Sequence, residues 1–239
     1  MGLFDKKYCD ICGEKIGLLG NRKLEDGNLC KECAKKLSPW FSDRRRSTVD
    51  DIRGQLAYRE ANRELVESFT VTRTLGTDTR VLLDENNQRF MVTSARNLRE
   101  ANPDVLNFAD CTGCELEVDE DREEVMYRNA EGEEVSFIPP RYNLYYNYYL
   151  NIYVNNPYFD RMRFQLSDSR VPSNDHVNQQ RYTAMAEEIK TTLMDFRQQV
   201  RDRIEQENAP KVATTCPWCG ATTTPAAGNT CEYCGGALS

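Results

Sequence analysis

At 239 residues and a formal charge of −7, the chain suits one medium domain with small appendages, or two domains. Hydrophobic residues make up 39%, charged residues 29%, and mean hydropathy is −0.70; no apolar run approaches the ~18 residues that span a bilayer. Asp5, Lys6 and Lys7 occupy the place where a signal peptide keeps its apolar stretch, and Lys6 stands where a myristoylation signal needs Ser or Thr, so a cytoplasmic location is expected.

The charge is uneven. Residues 1–47 hold eleven Lys/Arg against seven Asp/Glu, whereas residues 110–135 hold eleven acids against Arg122 and Arg128. That acidic middle would repel a polyanion. Ten cysteines without a secretory signal, all in C-x-x-C pairs, point to metal in a reducing compartment rather than to disulfides. With eight thiolates and two Zn²⁺ the net charge becomes about −11.

In chain order, Cys9-Asp-Ile-Cys12-Gly13 reads as a zinc knuckle, and Asp26-Gly27 as a hairpin turn between short strands. Cys30 and Cys33 open a helical run that Pro39 stops, giving a treble-clef-like order of knuckle, hairpin and helix. A helix is predicted over 47–68, capped by Ser47 or Thr48. Its apolar residues split: Val49, Ile52 and Leu56 fall on one face, Tyr58, Ala61, Leu65 and Phe69 nearly opposite, as in a bridge between two bodies.

The period then becomes two, with strands expected at 69–75, 80–84, 89–94, 114–119, 124–128, 134–138, 143–155 and 160–166. These suggest a small antiparallel barrel or sandwich. A second helix is predicted over 175–207 from the stripe Tyr182, Met185, Ile189, Leu193, Phe196, Val200 and Ile204. One stripe implies one packing partner, the open end of the barrel. Residues 208–215 read as a linker, and Cys216-Pro-Trp-Cys219-Gly with Cys231-Glu-Tyr-Cys234-Gly as a zinc ribbon.

The motifs C-x-I-C-G, L-x-D-G-x-L-C-K-x-C and K-L-S-P over roughly the first 50 residues resemble an uncharacterised four-cysteine zinc-finger family of Gram-positive bacteria. The resemblance implies a following β domain similar to bacterial pleckstrin-homology-like barrels, which carry a C-terminal helix. It implies no activity.

Six candidate sites follow. The quartets Cys9, Cys12, Cys30, Cys33 and Cys216, Cys219, Cys231, Cys234 have seventeen and eleven residues between their pairs; a Cys₄ site leaves no open coordination position, so each is expected to hold a structural Zn²⁺, with iron as the alternative metal. Cys216-Pro-Trp-Cys219 alone would pass for a redox motif, but a second knuckle follows in place of a helix. Cys111 and Cys114 lack two further ligands; Cys114 alternates with Leu116 and Val118 as a core residue does, and a redox-sensitive pair is the alternative. His176 lacks a nucleophile, and Arg44-Arg45-Arg46 reads as a solvated face or a phosphate grip. In the strand 143–155 the even positions, Leu144 to Val154, are the more apolar, while Tyr145, Tyr149 and Tyr153 alternate with asparagines on the odd face. That face is a candidate partner-binding surface, or packing beneath a helix.

The expected whole is an α+β protein: a treble-clef-like finger (1–46), a bridging helix (47–68), an antiparallel β domain with a C-terminal helix (69–207), a linker (208–215) and a zinc ribbon (216–239). The leading functional expectation is a non-enzymatic adaptor binding an unidentified protein. The alternatives are nucleic-acid or ribosome binding through the finger and Arg44–Arg46, disfavoured by the net charge, and a thiol redox sensor through Cys111 and Cys114.

Overall fold

The computed structural model describes residues 6–208, 213–224 and 229–238. The chain divides into two compact units, residues 1–198 and 199–239.

The first unit opens with two small hairpins. β1 (Lys7–Tyr8) pairs with β2 (Lys15–Ile16), and β3 (Arg22–Lys23) with β4 (Asn28–Leu29). Cys30 then caps the single turn α1 (Lys31–Ala34). After a 3₁₀ turn at Arg44–Arg46, α2 (Val49–Glu67) starts on a capping box: Thr48 Oγ1 accepts from Asp51 N–H, and the Asp51 carboxylate accepts from Thr48 N–H. Asp26, at the hairpin turn, accepts a further hydrogen bond from Val49 N–H at 2.8 Å. A β-carbon on Gly27 would come within 2.5 Å of the Val49 side chain, so only glycine lets the turn seat on this helix end. The finger's buried cluster, Cys9, Ile16, Leu24, Leu29, Cys33 and Leu37, is completed by Ile52 from α2, with Val49 and Leu56 packed against it.

α2 does not carry the split stripe expected of it. Its buried residues are Ile52, Gln55, Arg59, Asn62 and Val66, a single face at steps of three and four with a polar middle. An apolar count along the sequence misses that face because Arg59 and Asn62 are satisfied by partners distant in the chain, while the buried Gln55 amide has no hydrogen-bond partner among the described residues. Arg59 Nη1 meets Asp104 Oδ1 at 2.8 Å, and Ser38 Oγ donates to Asp104 Oδ2 at 2.8 Å. Asn62 donates to Asn102 Oδ1 and to the Pro103 carbonyl, both at 2.8 Å, and accepts from Val105 N–H. Burial pushes the Asp104 carboxyl up, against the pull of Arg59 and Ser38. The network ties the end of the finger, the middle of α2 and the segment before the fourth strand of the next sheet.

That sheet has the order β5 (Arg73–Gly76), β6 (Arg80–Asp84), β7 (Arg89–Thr93) and β8 (Val105–Asn107), all antiparallel. A helical turn, α3 (Leu98–Ala101), precedes β8. β6 and β7 are buried on both faces, which is why they read as continuous apolar runs. Leu82 and Met91 pack with Val66 of α2. On β7, Phe90 stacks on Phe108, and Phe108 stacks on Phe196 at 4.5 Å between centroids. α3 and β8 escape a periodicity reading because each is only one turn or three residues long.

The second sheet is built on one long ribbon. β9 (Cys111–Glu124) pairs antiparallel with β12 (Tyr142–Val154), and a smaller hairpin, β10 (Met126–Arg128) with β11 (Glu134–Ser136), continues it. The other edge of β12 takes β13 (Arg161–Gln165) and β14 (Val171–Pro172). The acidic stretch 119–124, of poor strand propensity, is drawn into β9 by pairing with the tyrosine-rich β12. Among the described residues neither sheet closes on itself, so the expected barrel does not form. β8 ends in a 3₁₀ turn, Phe108–Asp110, that carries the chain out of the first sheet and into the second.

Helix α4 (His176–Asn208) buries Tyr182, Ala186, Ile189 and Leu193, with Tyr182 against Tyr148 of β12. The lower part of the predicted stripe is not buried to match: Ile204 is 48% exposed. In the second unit, β15 (Thr214–Thr215) pairs with β16 (Thr222–Thr223) beside a small cluster of Cys216, Cys231 and Leu238. Of the expected linker, residues 209–212 lie outside the described residues. No helix among the described residues is long and apolar enough to cross a membrane.

Candidate metal centres

Three of the four cysteine pairs share one local geometry. In Cys9–Gly13, Cys216–Gly220 and Cys231–Gly235 the glycine N–H returns to the carbonyl of the first cysteine at 2.8 to 2.9 Å. Each glycine sits at φ between 70° and 75°, a backbone conformation that a side chain strains. The fourth pair uses a helix start instead: Cys30 is the N-cap of α1, and its sulfur accepts from Cys33 N–H at 3.3 Å. Cys30 N–H in turn donates to Cys9 Sγ at 3.3 Å.

These turns bring Cys9, Cys12, Cys30 and Cys33 together, and likewise Cys216, Cys219, Cys231 and Cys234, with all four sulfurs of each set within 4.8 Å of one another. The resolved sulfur–sulfur separations are 3.7 Å for Cys12–Cys30, 3.6 Å for Cys216–Cys234 and 3.7 Å for Cys219–Cys231. A tetrahedral ion with metal–sulfur bonds of about 2.3 Å has an edge of about 3.8 Å, so both sets fit one four-coordinate ion each.

The electrostatics agree. Burial pushes the Cys9 thiol up, but N–H groups of Cys12, Cys30 and Ile11 outweigh it and take the thiol down to about 6. In the second set burial likewise opposes the N–H groups of Cys219 and Trp218, which take Cys216 down to about 7. Cys33 is driven the other way by burial and by the sulfurs around it. At Cys234 the Gly236 N–H pulls down, but the sulfurs of Cys216, Cys219 and Cys231 together outweigh it and raise the thiol to about 12. Four thiolates crowded together need a cation among them. Each cluster could hold one metal ion, and neither leaves an open coordination position.

Cys111 and Cys114 stay apart from both centres. Cys111 is fully buried, its Sγ directed at the Gly113 carbonyl, and burial raises it to about 11 and Cys114 to about 12. Thiols held protonated at neutral pH are poor nucleophiles. His176 is exposed at the start of α4, where Asp175 accepts from Asn178 N–H as a cap.

On β12 the even face turns inward, with Tyr148, Leu150, Ile152 and Val154 buried. The odd face carries Tyr145, Tyr149 and Tyr153, half-buried beneath side chains of their own sheet rather than beneath a helix. The Arg163 guanidinium lies 3.6 Å from the Tyr149 ring centroid and that of Arg170 4.0 Å from Tyr145, while Tyr153 donates to Glu115 at 3.1 Å. Opposite them, β9 places Glu115, Glu117, Asp119, Asp121 and Glu123 on the same face. Arg163 pairs with Glu117 and Asp119, and Arg170 with Asp121 and Glu123. Hydrogen bonds from Arg163 and Asn151 pull Glu117 down to about 2. Neither arginine was legible from the sequence: the seat of Arg163 depends on the β12–β13 register, and that of Arg170 on the turn leading into β14.

No curated protein and no solved structure matches the chain. Residues 7–55 match a family described as Domain of unknown function (DUF4428), a match that takes in both cysteine pairs of the finger and ends inside α2, just past the Ile52 that closes the finger's core.

Proposed function

We propose that the protein is a non-enzymatic adaptor in which two structural Zn²⁺ ions hold small modules near its ends and the odd face of β12 receives a protein partner. The observation that carries the zinc part is the closed four-sulfur geometry, which suits a folding role and leaves a substrate no coordination position. Zinc is favoured over iron because a closed Cys₄ site is the common setting of structural Zn²⁺, which has no redox chemistry and no demand for an open position. The finger resembles the treble clef of a Gram-positive four-cysteine family, and the distal quartet resembles a zinc ribbon.

The partner surface rests on Tyr145, Tyr149 and Tyr153, rigid aromatic rings set on a strand and held by Arg163 and Arg170. Acids at Glu115, Glu117, Asp119, Asp121 and Glu123 border the row, so a partner bearing lysine or arginine suits it. Tyr149→Ala tests the reading. The ring is half-exposed and its arginine contact is worth about 0.5–1 kcal/mol, so unfolding free energy should fall by only about 1–2 kcal/mol. Capture of the partner should fall about thirtyfold. A stability loss above about 3 kcal/mol, or unchanged capture by the folded variant, refutes the interface.

A further inference from the structure

The finger's second feature of note is a loop that serves neither its core nor its metal. Between β2 and β3 the chain turns at Gly17–Gly20, closed by Gly20 N–H on the Gly17 carbonyl at 3.0 Å, and the two residues at its tip are Leu18 and Leu19. They are 90% and 88% exposed, the most exposed leucines among the described residues. One bare leucine is ordinary on a protein surface, but two adjacent ones on a projecting tip keep water on apolar surface that no neighbour covers.

Cations surround that tip. Lys7 and Lys15 lie on the paired strands leading into it, Lys7 opposite Ile16 and Lys15 opposite Tyr8. Arg22, directly after it, donates to the Leu19 carbonyl at 3.4 Å. Strand β3, which carries Arg22, packs against the 3₁₀ turn Arg44–Arg46; burial first, then the like charges of Arg22 and Arg45, disfavours the charged form of Arg44. Among the described residues none of Arg22, Arg44 and Arg45 has an acidic ion-pair partner, and the Arg44 Nε is buried without an acceptor. Like charges gathered without a counter-ion cost stability unless an anion arrives from outside.

We propose that the finger docks on an anionic bilayer surface, with Leu18 and Leu19 entering the boundary between headgroups and acyl chains and Lys7, Lys15, Arg22, Arg44 and Arg45 facing the lipid phosphates. The combination selects the occupant. A phosphate backbone would satisfy the arginines but leave two leucines in water, whereas a bilayer satisfies both. The inference goes beyond the adaptor reading and is independent of the tyrosine face; it places that adaptor at a membrane surface without a spanning helix.

The test is co-sedimentation of the full, metal-loaded chain with mixed phosphatidylglycerol–phosphatidylcholine vesicles and with pure phosphatidylcholine vesicles. Selective, salt-sensitive pelleting with the anionic vesicles is expected. Burial of a leucine is worth about tenfold in partitioning, so the L18S/L19S double variant should bind about a hundredfold more weakly. Both positions are almost fully exposed, so the fold should survive, which an unchanged metal content verifies. In Leu19→Trp, an added emission at shorter wavelength on anionic vesicles reports insertion. Arg22→Ala with Arg45→Ala should weaken the preference for anionic lipid severalfold, with Lys7, Lys15 and Arg44 retaining the remainder. No pelleting by the wild-type chain, pelleting unaffected by L18S/L19S, or Leu19→Trp emission indifferent to vesicles would each overturn the proposal. So would tight binding of a duplex RNA that is lost with the arginines while vesicle binding is absent.

Discussion

Asp104→Asn keeps the shape of the side chain at the centre of the polar network and removes its charge. Arg59 is then left 7% exposed, its guanidinium 2.8 Å from an amide in place of a carboxylate, and Ser38 faces that same amide. Breaking a buried ion pair from one side costs about 3–5 kcal/mol, because the remaining charge is neither solvated nor matched. For a unit of this size about 1 kcal/mol corresponds to about 2–4 °C, so the melting temperature should fall by roughly 6–20 °C. Urea unfolding of the zinc-loaded chain, followed by circular dichroism, gives the free energy directly. The double variant Arg59→Met with Asp104→Leu should recover most of the loss, since no lone charge remains. A single-variant cost below about 1 kcal/mol, or a double variant no better than the single, would show that water reaches the pair and that the network does not join finger to sheet.

Metal analysis of the purified chain should give two zinc ions, and Cys30→Ser should give one, with the finger of residues 8–38 unfolded, since a structural zinc contributes on the order of 10 kcal/mol to such a module; two zincs retained in Cys30→Ser would show that Cys30 is not a ligand. Glu117 carries a pH signature. Its folded value, about 2, lies below the ordinary 4.5, so its contribution is present above pH 4.5 and is lost as pH falls from there through about 2. Glu117→Gln should flatten the acid limb of a stability–pH curve over that window because it lowers melting at neutral pH and leaves it nearly unchanged near pH 2, the loss being small since the carboxylate is exposed to solvent; an acid limb identical to wild type would place the Arg163 contact in solvent.

Much of the molecule was legible from local chemistry. Thr48 followed three residues later by Asp51 fixes a helix start because both partners sit within one turn. C-x-x-C-G fixes a knuckle because its glycine conformation and its N–H return are both local. Leu144 to Val154 alternate along β12 with a period that a half-buried strand imposes on any sequence, and from Tyr148 onward every even position is buried, with Asn151 the one odd position buried among them.

What tertiary structure decided lies between residues far apart in the chain. The buried face of α2 is Gln55, Arg59 and Asn62 between Ile52 and Val66, and it reads as solvent-facing until Asp104 and Asn102 arrive to satisfy Arg59 and Asn62. An apolar stripe records only burial that needs no partner, so a polar stripe stays invisible to it. The open pair of sheets in place of a barrel was likewise out of reach, since pairing depends on where the turn at Phe108–Asp110 sends the chain. The residues alone determined the two four-sulfur clusters, because ligand spacing and knuckle chemistry are local; the seating of Arg163 and Arg170 over the tyrosines, and the gathering of Arg22 with Arg44 and Arg45 beside a bare leucine tip, required the fold, because a strand's register and a loop's neighbours are set by contacts no stretch of sequence contains.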